Sequence, residues 1–238
     1  GAFLFRYTNH ELPFILFGII GLIVALQLNN RLRNIPEAKA SLDRPSRLRI
    51  TDPTVWPFIF VSSLASIAQA IIFQTMGFYI FDKLGYTAQE ATIYVSICCG
   101  IWSVSVVVTQ SLINPLFQSI KAMMIIGPIL SSLSFVALIY SAEIFALIGT
   151  LILNGIGLGL TRPSYNSALS LSHDMKFQSS AAGMMGSTLP IGHMIAPFLI
   201  SLYLIQPAYL YLLSAAISLF AVGFTVFHPY ILKSDAYK

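Results

Sequence analysis

Seven apolar stretches, at 13–28, 55–81, 92–113, 121–140, 144–161, 178–205 and 208–227, limit what this chain can fold into. A helix needs about 20 apolar residues, within a range of roughly 17–25, to cross the hydrocarbon core of a bilayer. Each stretch meets or approaches that length, and 55–81 and 178–205 are long enough to tilt or to extend beyond the lipid. The runs are continuous rather than alternating, which favours a helical bundle over a β-barrel. Composition agrees. Of 238 residues, 56% are hydrophobic and 9% charged, against about 25% charged in soluble domains. So few ionic groups cannot cover a water-facing surface, and the mean hydropathy of +0.79 points the same way. An all-α membrane protein with seven transmembrane helices is the expected fold class.

The net charge of +4 is small and sits in the loops, which argues for membrane topology rather than a nucleic-acid partner. With spans alternating in direction, Arg31, Arg33, Lys39, Arg44, Arg47, Arg49, Lys121, Arg162, Lys176, Lys233 and Lys238 fall on one side. Only Arg6 and Lys83 fall on the other. The positive-inside rule puts the larger group, and the carboxyl end, in the cytoplasm. Every formal charge is expected between the spans or at their ends. The two cysteines, Cys98 and Cys99, are adjacent in an apolar run. Helical neighbours point about 100° apart, so they read as packing residues rather than a disulfide. No metal or cofactor is expected.

Residues 1–12 read as an extracytoplasmic loop, 13–28 as a lone helix, 29–54 as a basic cytoplasmic linker, 55–228 as a six-helix domain and 229–238 as a cytoplasmic tail. The linker contains Pro36, Pro45 and Pro53 and has no apolar periodicity. The chain opens on Gly1 without a methionine or a basic n-region, which reads as a start inside a longer polypeptide.

One helix, a long basic linker and six further helices resemble the major facilitator superfamily cut before its sixth helix. Particular residues strengthen the likeness. Gly155, Gly157 and Gly159, followed by Thr161, Arg162 and Pro163 and then Ala168 and Ser170, resemble the cytoplasmic end of the tenth helix in drug–proton antiporter-like members. Gln178 to Gly183, then Gly192, His193 and Pro197, resemble the eleventh helix. Gly77 and Phe78 with the turn from Asp82 to Glu90 look like the end of the seventh helix and the loop to the eighth. Gln110, then Lys121 before Met123, Met124 and Gly127, look like the end of the eighth helix and the start of the ninth. The family's signature basic loop would fall near Asn114 to Lys121, where only Lys121 fits. The resemblance covers nearly the whole chain. It implies the C-terminal six-helix half of a major facilitator fold plus the sixth helix, with the missing N-terminal half as partner.

Polar residues in apolar helices are the candidates for chemistry, because lipid offers them no partners. Ser62, Ser66 and Gln69 share one helical face at i, i+4 and i+7, which Phe73 and Gly77 extend. They can line a cavity or tie helices together; Gln69 and Gln74 are the stronger cavity candidates. Gly155 and Gly159 form a small-xxx-small pair that implies close helix packing. Asn154 beside them is a substrate-site candidate, since polar, glycine-interrupted helices mark transporter sites. His193, between Pro190 and Pro197, can be a structural hydrogen-bonding group or a proton-coupling one, and is expected to face the bundle interior. The substrate-binding set is therefore Gln69, Phe73, Gln74, Asn154 and His193. Gly155, Gly159, Arg162, Pro163, Gly192 and Pro197 are assigned to helix packing and gating.

The expected function is part of a secondary active transporter of the inner membrane, multi-pass, moving a small amphipathic molecule by alternating access, with proton-coupled export. Substrate and lipid bilayer are its partners. A seven-helix receptor is the rival, although the last span has no lysine for retinal and the longest basic loop follows the first helix. A membrane enzyme ranks third, because the chain has no HExxH motif and no acid pair in the spans.

Overall fold

The computed structural model describes residues 12–32 and 48–232. The loop before Leu12, most of the linker and the tail after Leu232 lie outside the described residues. So do Arg6, Arg33, Lys39, Arg44, Arg47, Lys233 and Lys238, seven of the thirteen basic residues in the charge asymmetry. The chain divides into two compact units, Gly1–Ser46 and Arg47–Lys238.

The first unit contains helix α1, Leu12–Leu32. Its apolar stretch among the described residues is Gly18–Asn29, shorter than a span, so the seventh crossing rests on the sequence alone.

The second unit is built from α2 (Trp56–Phe78), α3 (Ala88–Val108), α4 (Ile120–Tyr140), α5 (Ile144–Leu171), α6 (Gln178–Ile205), α7 (Pro207–Phe227) and the short α8 (Pro229–Leu232). There is no strand among the described residues. Wider π turns continue α2 through Tyr79–Lys83 and α3 through Thr109–Ile113. Among the described residues, six helices are long and apolar enough to cross a membrane, the build of a multi-pass membrane protein.

Local chemistry sets several boundaries. Thr87 and Glu90 form a reciprocal capping box that starts α3, and the Ser119 hydroxyl accepts from the Ala122 amide at the start of α4. Pro57 and Pro207 occupy first-turn positions, where a missing N–H costs nothing. Gly85 turns the chain between α2 and α3 with φ of 74°, a conformation that favours glycine.

Helix α2 packs on α6 and α7, α4 on α5 and α7, and α3 on α5. Two apolar clusters hold the unit. One, around Ile71, Tyr79, Leu147, Leu151 and Tyr211, fills the end that carries Lys83. The other, around Phe58, Met124, Tyr165, Leu169 and Ile231, fills the end that carries Asp174. Buried polar residues, including Gln69, Ser131, Asn154, Thr161 and Ser218, lie between them around a void of about 20 Å³. Helices α3 and α6 are the least enclosed: 17% and 22% of their most apolar windows are buried, against 67% for α2 and 61% for α5. They form the rim of the unit.

The fifth apolar stretch, expected to end at 161, runs ten residues further as helix, to Leu171. Arg162 therefore lies inside α5, about 27 Å from its start at 1.5 Å per residue. The helix continues past the apolar stretch, so Arg162 stands within the helix and directly after that stretch. Arginine followed by proline reads as a helix stop only while the groups it disturbs have no other partner.

Candidate functional site

A cavity of about 640 Å³ lies among α2, α5 and α6. Ser62 reaches it from α2; Arg162, Asn166 and Ser170 from α5; Gln178 and Thr188 from α6. The α5 residues follow at i, i+4 and i+8, so one stripe of that helix supplies them. At the α2–α6 wall, the Ser62 and Thr188 hydroxyls are 3.0 Å apart and buried. Helices α2 and α6 can meet there because Gly192 has no side chain. A methyl carbon at Gly192 would sit 2.6 Å from the Ser66 carbonyl oxygen.

Among the described residues, Arg162 is the only charged one lining this cavity. One of its guanidinium N–H groups donates to Gln69 Oε1 at 2.5 Å, and Gln69 is itself buried on α2. The structure thus brings together one residue assigned to substrate binding and one assigned to gating. Asn166, Ser170, Gln178 and Thr188 were not among the expected site residues. The α5 spacing is visible in the sequence, but ending the span at 161 left Asn166 and Ser170 outside it and hid the stripe, whereas Gln178 and Thr188 fall within the 178–205 stretch.

The remaining candidates lie elsewhere. Asn154 is buried between helices, accepting from Trp102 Nε1 at 3.1 Å and donating to the Ser134 hydroxyl at 2.9 Å. Both ends of its amide are used to tie α3, α4 and α5. Phe73 meets Trp102 edge to face, with ring centroids 4.7 Å apart. Phe73 and Gln74 also border a second hollow of about 530 Å³ between α2 and α3, lined largely by Phe78, Phe81 and Val95. His193 stands on the exposed face of α6 rather than inside the bundle. Its side chain makes no hydrogen bond among the described residues.

Gly155 and Gly159 pack as the spacing implies. A methyl at Gly155 would lie 2.8 Å from Ser105 Cβ, and one at Gly159 would lie 2.7 Å from Thr109 Cβ, both on the α3 side. Gly157 serves a second seam, where the same addition would come 2.7 Å from the Ser131 amide of α4.

The interior prolines follow one rule. A proline in a helix has no N–H for the carbonyl four residues earlier. Pro128 leaves Met124 without that bond, and the Tyr165 hydroxyl donates to the Met124 carbonyl at 3.2 Å. Pro163 leaves Gly159, whose carbonyl accepts from Asn114 Nδ2 at 3.2 Å. Pro197 leaves His193, whose carbonyl accepts from Gln74 Nε2 at 3.4 Å. The fourth, Pro190, leaves Gly186, and Gly186 lines the 640 Å³ cavity. Gln74 and Pro197, assigned separately to substrate and gating, are thus two parts of one backbone repair.

No family model and no curated protein matches this chain.

Proposed function

We propose that the chain is part of a secondary active transporter of the inner membrane that moves a small amphipathic molecule by alternating access, in proton-coupled export. The observation that carries this reading is the cavity of about 640 Å³ among three span-length helices, with Arg162 and a set of hydroxyl and amide groups on its walls. That volume falls within the usual range of about 300–1,000 Å³ for small-molecule sites. A bundle serving only as an anchor has no use for polar groups around open space, because each is costly in lipid without a partner. Proline-interrupted helices beside the cavity fit a site whose walls move. The sequence resemblance to the C-terminal half of the major facilitator fold agrees with the arrangement, and the N-terminal half would close the cavity. In this reading the carboxyl end is cytoplasmic, and His193, on the rim helix α6, is the proton-coupling candidate.

The test is flux in sealed vesicles containing the native polypeptide, driven by an imposed pH gradient and followed with fluorescent amphipathic dyes. Gly186 lines the cavity, and there is open space where its side chain would begin. Gly186→Trp is expected to fill the site and abolish saturable flux without reducing folded protein. His193→Gln is expected to uncouple flux from the gradient. Saturable flux unchanged by Gly186→Trp would reject this cavity as the route.

A further inference from the structure

We infer that the cavity takes the anionic group of its substrate, a carboxylate, phosphate or sulfonate, on the guanidinium of Arg162. This rests on the transport reading and names the substrate class that reading leaves open.

Arg162 lies inside a 28-residue helix of span length, and its guanidinium remains protonated in proteins. A charge at such a place is retained where it pairs or meets a wet pathway. No carboxylate among the described residues pairs with it. Lys176 and Asp174 form an ion pair at 3.6 Å on the surface, away from the cavity lining. The five described acids, Asp52, Asp82, Glu90, Glu143 and Asp174, all stand in turns or within the first or last turns of helices. Arg162's side chain has one hydrogen bond among the described residues, to the neutral Gln69 amide. A guanidinium has five N–H donors in a planar fork. Gln69 holds one of them, which fixes the fork's orientation and leaves the others for the cavity.

The remainder of the wall is consistent with an anion. Asn166, Ser170 and Gln178 present hydroxyl and amide groups able to donate, while the Thr188 hydroxyl donates to the Met185 carbonyl and Ser62 to Thr188; among the described residues the cavity lining contains no carboxylate. A cationic substrate would meet an uncompensated positive charge with nothing to offset it. Carboxylate and phosphate oxygens match the guanidinium fork in two parallel hydrogen bonds. Lining carbons from Leu171, Met185 and Leu189 suit the apolar part of the same molecule.

Three matched amphipathic probes separate the possibilities: 4-phenylbutyrate, 4-phenylbutan-1-ol and 4-phenylbutylamine. Thermal unfolding of the purified full chain in detergent is measured against the concentration of each. The expected result is a saturable rise in Tm with half-saturation about tenfold lower for the carboxylate than for the alcohol, the effect of about 1.4 kcal/mol, and no rise with the amine. Arg162→Gln should erase the preference. Asn166→Asp, which puts a carboxylate one helical turn from Arg162, should erase it by occupying the guanidinium internally. Its near-identical size keeps the test usable if Arg162→Gln does not fold. Equal responses to all three probes, a preference for the amine, or a carboxylate preference that survives both substitutions would overturn the anion assignment. Saturable flux that Gly186→Trp abolishes would leave the transport reading standing in each of those cases. No saturable response to any probe, with flux indifferent to Gly186→Trp, would remove both.

Discussion

Asn154 shows what a single side chain does here. Replacing it with leucine keeps the volume but leaves buried Trp102 Nε1 without an acceptor and Ser134 without a donor. An unsatisfied buried group costs about 1–3 kcal/mol, so Asn154→Leu should lower Tm clearly, whereas His193→Gln on the exposed face should leave it unchanged. A wild-type Tm for Asn154→Leu would return Asn154 to the list of substrate contacts. His228 gives a pH-dependent counterpart outside the spans. It sits between Trp56 and Phe224, with ring centroids 5.3 and 4.9 Å away, and its buried Nδ1 has no hydrogen-bond partner among the described residues. Burial holds its pKa below the usual histidine value of about 6.5. Its neutral form is thus favoured in the fold. The contribution is complete above the unfolded pKa, and stability is lost as pH falls below it, because the unfolded chain takes up the proton first. Tm should decline from pH 7.5 toward 5.5, and His228→Phe should flatten that decline. An equal slope in His228→Phe would assign the effect to other groups.

At the scale of elements, α2 and α6 meet through Gly192, while Gly183 on the same helix has open space where a side chain would go. Gly192→Ala should therefore reduce the yield of folded protein, and Gly183→Ala should not; equal yields would mean that the helices can separate without harm. Much of this level is legible in the sequence. Continuous apolar runs locate all six long helices, and the GxxxG spacing of Gly155 and Gly159 identifies a packing seam. The failure at 161 has a physical cause. Arg162 and Pro163 end a helix that must satisfy its own groups, and here Gln69, 93 residues from Arg162, and Asn114, 45 residues from the Gly159 carbonyl, supply the missing partners. Neither contact leaves a local signal. The same distance explains why Gln69 and Arg162 could each be singled out but not joined. It also explains why the bonds by which Asn154 and Gln74 tie helices together leave no local signal, although both residues also border open space.

For the whole molecule, the transport reading predicts sides. Lys176, exposed between α5 and α6, and Gln89, exposed near the start of α3, should lie on opposite faces of the membrane. With Cys98 and Cys99 replaced by alanine, Lys176→Cys should react with an impermeant thiol reagent only after the membrane is opened, and Gln89→Cys in intact cells. The reverse pattern would invert the orientation, and labelling of both residues from one side would break the alternation of spans. The prolines carry a consequence of another kind, one of inheritance. Pro128 with Tyr165, Pro163 with Asn114 and Pro197 with Gln74 each join a proline to the distant donor that serves the carbonyl it strands. Losing the donor alone exposes the defect, while losing the proline as well restores an ordinary helical bond and makes the donor dispensable. Each pair should therefore behave in descent as one locus, drifting only when both members change together, and a lineage that has straightened one of these helices will have been free to forget its distant partner.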